Sequence, residues 1–138
     1  MAEVKNVTAL EAWEILQRGS GAVLVDVRTR MEYDYVGHPK GALHLPWQEW
    51  PEWRTNPQFV TEARNALAHG ATRNPETTPV LTLCRSGKRS LAAAQALSVA
   101  GFTEVYNITE GFEGERDAKG HRNTVGGWRF RGLPWEQT

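Results

Sequence analysis

The residues with the clearest capacity for chemistry are Cys84-Arg85-Ser86-Gly87-Lys88-Arg89-Ser90. They follow the apolar run Pro79-Val80-Leu81-Thr82-Leu83 and lead into the alanine-rich Leu91-Ala92-Ala93-Ala94-Gln95-Ala96-Leu97. This order predicts a buried strand, a tight loop and a helix, with the chain's only cysteine where the strand ends. Two positive fields meet at its sulfur: the unpaired amide donors of the coming helix, and the cations Arg85, Lys88 and Arg89. Both favour thiolate over thiol. The thiolate is the nucleophile, so Cys84 is expected to attack electrophilic sulfur or to serve a site for anionic substrates. A lone cysteine can also be an inert small hydrophobe. Three cations and a glycine in the next five residues argue against that here.

The elements that must hold this loop are legible on both sides of it. Thr8 and Glu11 form a capping box, which predicts a helix over residues 9 to about 18 with Leu10, Trp13 and Leu16 inward and Gly19 and Gly21 as the stop. The nearly unbroken apolar run Ala22-Val23-Leu24-Val25-Asp26-Val27 suits a central strand of a parallel sheet covered on both faces. Its end delivers Asp26 and Arg28 where sites form in open α/β sheets. A carboxylate there would cap the 30–35 turn or pair with Arg28, a supporting role more than a catalytic one. A short strand is expected near residues 42–45. Trp47, Trp50 and Trp53, three residues apart, read as core packing, with an aromatic rim beside the loop as the rival. Asn56-Pro57 should open a helix that Gly70 closes, and Gly101 with Phe102 should end the helix after the loop in a Schellman turn. The last strand is expected at residues 104–108. Strand, helix, strand, helix, strand makes a parallel α/β domain with right-handed crossovers.

Composition bounds the rest. At 138 residues the chain suits a single domain, residues 1–138, that buries roughly 68% of its unfolded surface without a staple. Sixteen basic residues balance sixteen acidic ones, which gives no reason to expect nucleic acid or an anionic membrane as partner. A single cysteine excludes an internal disulfide, a Cys-x-x-Cys site and a resolving thiol. No signal-like or membrane-spanning run is present, so the cytoplasm is the expected location. His38, His44, His69 and His121 lack metal-ligand spacing, so no metal or other cofactor is expected and the histidines read as turn-stabilising.

Cys84-Arg85-Ser86-Gly87-Lys88-Arg89-Ser90 resembles the active-site loop of the rhodanese (thiosulfate sulfurtransferase) superfamily. Asp26-Val27-Arg28 is similar to that family's Asp-x-Arg signature, and Glu32 with Tyr33 matches the short helix that follows it there. Gly37-His38-Pro39-Lys40-Gly41-Ala42-Leu43-His44-Leu45-Pro46 is similar to its Gly-His-Ile-Pro-Gly-Ala-x-x-x-Pro segment. The end of the chain departs from the pattern: Glu110-Gly111-Phe112-Glu113-Gly114 and Trp128-Arg129-Phe130-Arg131-Gly132-Leu133-Pro134 stand apart, which makes residues 115–127 an insertion, either a solvated loop or a docking or lid element. The resemblance implies a single rhodanese-like domain, a central mainly parallel sheet with helices on both faces.

It also implies sulfur transfer by double displacement. Cys84 would take the outer sulfur of an anionic donor such as thiosulfate, hold it as a persulfide, and pass it to cyanide or a thiol acceptor. The amides of residues 85–89 would cradle the sulfur, with Gly87 permitting the backbone conformation. Arg85 and Lys88 would hold the donor and ease departure of sulfite. Arg89 would do likewise or pair inward with Asp26 or Glu32, and the Ser86 and Ser90 hydroxyls would donate to sulfur or cap the helix. A cationic loop suits dianionic thiosulfate better than 3-mercaptopyruvate. A phosphatase or arsenate-reductase loop needs an arginine six positions after cysteine, where this chain has Ser90. The alternative of another class is a relay or interaction module, loaded by a protein sulfur donor and discharged to a protein acceptor.

Overall fold

The apolar runs become one parallel sheet. The computed structural model describes residues 2–68 and 74–138. In chain order the elements are β1 (Lys5–Val7), α1 (Ala9–Gln17), β2 (Val23–Asp26), a π-helical turn (Glu32–Val36), β3 (His38–Pro39), β4 (Leu43–His44), α2 (Phe59–Ala68), a short 3-10 turn (Pro75–Thr77), β5 (Val80–Leu83), α3 (Lys88–Val99), β6 (Val105–Ile108) and β7 (Trp135–Glu136). The sheet runs β1-β6-β5-β2-β4 with every neighbouring pair parallel. β3 and β7 form a separate antiparallel ribbon that ties the end of the chain to the segment after β2.

All residues of β5 and β6 are buried, as expected of strands covered on both faces. The two-residue period of a strand sends alternate side chains to opposite layers. Val25, Val80 and Val105 pack with Phe59, Ala63 and Leu67 of α2 and with Ala93, Ala94 and Leu97 of α3. On the other face Leu24, Leu81 and Ile108 pack with Ala9, Ala12 and Ile15 of α1 and with Phe112, Trp128 and Leu133. Each large apolar side chain so removed from water stabilises the fold by about 1.5–3 kcal/mol. Helices thus cover both faces, and a non-helical C-terminal segment shares one of them with α1.

The boundaries follow local chemistry. The Thr8 hydroxyl accepts from the Glu11 amide at 3.1 Å and the Glu11 carboxylate from the Thr8 amide at 2.8 Å, completing the capping box of α1. α3 ends in the expected Schellman turn: Phe102 N–H donates to Leu97 O and Gly101 N–H to Ser98 O, both at 3.1 Å, with Gly101 at φ 108°. Three expectations are corrected. Leu10 is exposed, and α1 buries Ala9, Ala12 and Ile15 because its register follows the cap. α2 begins at Phe59, two residues after Pro57, because the Asn56 side chain accepts from Gln58 N–H and holds a turn there instead of a helix start. Trp50 and Trp53 are 60% and 43% exposed, while Trp47 alone packs inward, edge-on to Phe59 at 5.2 Å. Residues 47–56 are not helical, so the spacing of three does not gather these rings on one face. Gly70, expected to close α2, lies outside the described residues, as do His69 and Thr72. No helix among the described residues is long and apolar enough to cross a membrane.

Candidate active site

Cys84 stands immediately after β5, at the carboxyl edge of the sheet, and the loop reaches α3 within four residues. Its side chain is 1% exposed. Gly87 N–H donates to the sulfur at 3.1 Å, and the Ser90 hydroxyl lies 3.3 Å from it. Of the amides of residues 85–89, that of Gly87 makes the bond to Sγ. Gly87 needs φ 103° to do so, and a Cβ there would stand 2.3 Å from Thr109 O. Glycine meets both demands.

Ser90 is completely buried and is held from behind. Asn107 Oδ1, on β6, accepts from the Ser90 hydroxyl at 2.5 Å. The Asn107 amide is oriented by its own donations to Asn6 Oδ1 and Gly87 O, at 3.2 and 3.3 Å. The Ser90 hydroxyl proton therefore has two acceptors, Asn107 Oδ1 and the sulfur. Asn107 is a site residue that the sequence reading missed. Its signal was a polar side chain in the middle of an otherwise apolar strand.

The cations divide into two kinds. Arg85 and Lys88 are exposed, and neither side chain forms an ion pair among the described residues. Arg89 is committed: its two terminal nitrogens donate to the two Glu32 oxygens at 2.8 and 2.9 Å. Burial works against the Glu32 carboxylate, but the Arg89 hydrogen bonds and charge and two bonds from Thr29 outweigh it and carry its pKa down to about 2. Burial likewise works against the Arg89 charge and is outweighed by Glu32, which raises its pKa further. Of the two pairings considered for Arg89, the partner is Glu32. Ser86 is half-buried on the loop.

Asp26 and Arg28 form a fully buried bidentate pair, with Arg28 Nε to Oδ1 at 2.9 Å and Nη2 to Oδ2 at 2.6 Å. Arg28 Nη2 also donates to Gly37 O at 2.6 Å, and the guanidinium lies 4.5 Å from the Phe112 ring centroid. Val27 N–H between them donates to Leu83 O, which ties this braced strand end to the residue before Cys84. A buried pair of this kind adds little net stability, but it fixes geometry. His38 and His44 stack on the two sides of Tyr33, at 3.7 and 4.4 Å, and bond the Tyr33 and Arg28 carbonyls. They hold turns.

The C-terminal segment is built against the loop. Phe112 N–H donates to Cys84 O at 2.8 Å and Glu113 N–H to Arg85 O at 3.0 Å. This approach needs Gly111, at φ 63°, where a Cβ would sit 2.4 Å from Arg85 O. Residues 115–127 contain no helix or strand, and they are anchored. Asp117 accepts from Lys119 N–H, His121 N–H and the Thr124 hydroxyl; Asn123 N–H returns to Glu113 O, and Arg122 donates to Gly114 O.

Beside the loop lies a cleft of about 700 Å³. Arg85 and Arg89 wall it from the loop, Met31, Tyr35, Trp50 and Trp53 from the opposite side, and Glu113 and Arg122 from the C-terminal segment. The Arg89 guanidinium sits 5.8 Å from the Trp53 ring centroid. Cys84, which is buried, is not a wall of this cleft; the next residue, Arg85, is. Among the described residues no three histidines, cysteines or carboxylates gather as metal ligands.

With this arrangement in view, the relatives are informative. The family model of the rhodanese-like domain matches residues 8–117. An uncharacterized protein of Rickettsia conorii is 33% identical, over 96% of this chain and 98% of its own. The thiosulfate sulfurtransferase GlpE of Haemophilus influenzae is 31% identical, over 80% of this chain and 86% of its own. Among solved structures, a protein of M. tuberculosis superimposes with a TM-score of 0.84 at 40% identity, covering 99% of this chain and all of that one. With a cysteine at the strand-to-helix turn of a five-stranded parallel sheet and a matching sequence over most of its length, the chain belongs to the rhodanese-like domain family.

Proposed function

We propose that the chain is a sulfurtransferase that moves sulfane sulfur from an anionic donor such as thiosulfate to cyanide or a thiol, through a persulfide on Cys84. The observation that carries this reading is the convergence of Gly87 N–H and the Ser90 hydroxyl on the Cys84 sulfur at a turn bearing Arg85 and Lys88. Donors aimed at a sulfur favour its anionic forms, thiolate and persulfide alike. The Cys84 thiolate attacks the outer sulfur of thiosulfate, an S–S bond forms to Sγ, and sulfite departs with the electron pair of the bond that breaks. Cyanide or a thiolate then takes the outer sulfur and returns the pair to Cys84. Sulfite leaves before the acceptor reacts, so turnover is a double displacement.

In this mechanism Arg85 and Lys88 attract the dianion and ease the departure of sulfite, while Ser86 and Gly87 shape the loop. Arg89, held by Glu32, contributes field and position more than direct contact. Asp26 and Arg28 brace the strand end, and Ser90 donates to sulfur. The lone cysteine suits a reducing compartment, the cytoplasm, and residues 1–138 act as one domain with 115–127 as an inserted, anchored segment.

Intact mass after thiosulfate, and again after cyanide, tests the proposal on the wild type and on Cys84→Ser. The expected result is a gain of one sulfur, about 32 Da, that cyanide removes and the serine variant never acquires. Absence of the adduct would refute thiosulfate as donor and transfer the role to a protein persulfide.

A further inference from the structure

The cleft is far larger than thiosulfate or cyanide requires. Volumes of about 300–1,000 Å³ are those of sites that enclose drug-sized molecules with mostly apolar walls and a few placed charges, and this one measures about 700 Å³. Its apolar side is made of flat or polarisable groups, Trp50, Trp53, Tyr35 and Met31, and all four are well exposed. The Trp53 ring faces the Arg89 guanidinium, which Glu32 in turn fixes. The charges on the walls do not cancel. Glu32 is spent on Arg89, Arg85 has no ion-pair partner among the described residues, and Arg122 gives one bond to a carbonyl. Against these two cations stands the carboxylate of Glu113, which forms no ion pair among the described residues, and this leaves one positive charge on the walls uncompensated in an apolar cleft beside the Cys84 loop.

From this complementarity we infer that the cleft binds the sulfur acceptor, and that the acceptor is a thiol with a flat apolar body and one carboxylate. The inference rests on the sulfur-transfer reading and names the substrate class of its second half-reaction. The body lies against Trp50 and Trp53, and the carboxylate is held between Arg85 and Arg122. The thiolate attacks the outer sulfur of the Cys84 persulfide; an S–S bond forms to the acceptor as the bond to Sγ breaks, and the electron pair returns to Cys84. The products are the acceptor's persulfide and the free Cys84 thiolate, so no oxidant or reductant is consumed.

The test separates binding from chemistry. Cys84→Ser protein, which cannot carry sulfur, is labelled at its indole nitrogens and titrated with 6-methylthio-2-naphthoate, an unreactive thioether. Saturable shifts are expected at the Trp50 and Trp53 indoles. The Trp128 indole, buried and bonded to Pro134 O at 2.8 Å, should not move. The corresponding naphthamide should bind at least tenfold more weakly, and Arg85→Gln with Arg122→Gln should abolish that preference. Sulfur-loaded wild type should then be discharged by 6-mercapto-2-naphthoate with a KM at least tenfold below that for mercaptoacetate. Absence of saturation, or equal affinity for acid and amide, overturns the assignment and leaves this face to a protein partner. Saturation with the expected preference in a protein that thiosulfate does not load would sustain the ligand class and refute thiosulfate as the donor instead.

Discussion

Replacing Glu32 with glutamine keeps the size and one acceptor oxygen but removes the charge that holds Arg89 against the cleft. The carboxylate receives two bonds from Arg89, at 2.8 and 2.9 Å, and two from Thr29, at 3.2 and 2.9 Å, and its side chain is 17% exposed. Its pKa falls from the ordinary 4.5 to about 2. At about 1.4 kcal/mol per pH unit, this corresponds to roughly 3 kcal/mol of native-state stability at pH 7. The sign follows from the depression of a carboxyl. The stabilisation is fully present above about pH 4.5 and is lost as pH falls toward 2. Glu32→Gln should therefore cost about 2–3 kcal/mol in urea titrations at pH 7, and less than half of that at pH 3. A gap of the same size at both pH values would refute the reasoning, since it would reflect packing and not charge. A gap near zero at pH 7 would refute it equally, by placing the pair among surface bridges worth little.

Two further substitutions test the loop itself. Ser90→Ala removes the hydroxyl beside the sulfur and strands Asn107 Oδ1 in the core. Persulfide formation from thiosulfate should slow by about tenfold or more, with about 1–3 kcal/mol lost in urea titrations, and Ser90→Thr should restore much of both. Gly111→Ala forces a Cβ to within 2.4 Å of Arg85 O at a positive φ, and the obstacle is backbone that cannot turn aside. It should cost roughly 3 kcal/mol or more, read as a fall in Tm of about 10 °C, and should displace the loop enough to lose the cyanide-sensitive adduct.

The parts of the fold legible in the sequence were those governed by local rules. The capping box at Thr8, the Schellman turn at Gly101 and the mostly apolar strands each carry their signal within a few residues, and each appears where its signal stands. What failed depended on partners distant in sequence. β1 has three residues and exists because Lys5, Asn6 and Val7 find the edge of β6, and β7 exists because Trp135 and Glu136 meet His38 and Pro39. Leu10 went wrong for a related reason: the burial of Ala9 and Ala12 against the sheet requires a close helix approach that small residues allow, and it leaves Leu10 outside.

The site divides along the same line. A cysteine at the end of a strand, with its glycine and cations, is a local device, and the loop could be read directly. Its supports are not local: the Ser90 hydroxyl depends on Asn107, seventeen residues away, and Arg89 on Glu32, fifty-seven residues away. The sequence could offer Glu32 as one partner of two for Arg89, but only the fold selects it. The cleft is still less local, because its walls come from the π-helical turn, from the tryptophan segment, from the loop and from the segment around Arg122. The tryptophans carried an ambiguous signal. A spacing of three gathers rings on one face only if the segment is helical, and Pro51 falls between Trp50 and Trp53, where a helix is hard to sustain. That proline, weighed against the spacing, would have turned the reading from core to rim. The local design of a rhodanese-like loop can thus be read from its own residues, while the cleft beside it is defined by side chains that only the folded chain brings together.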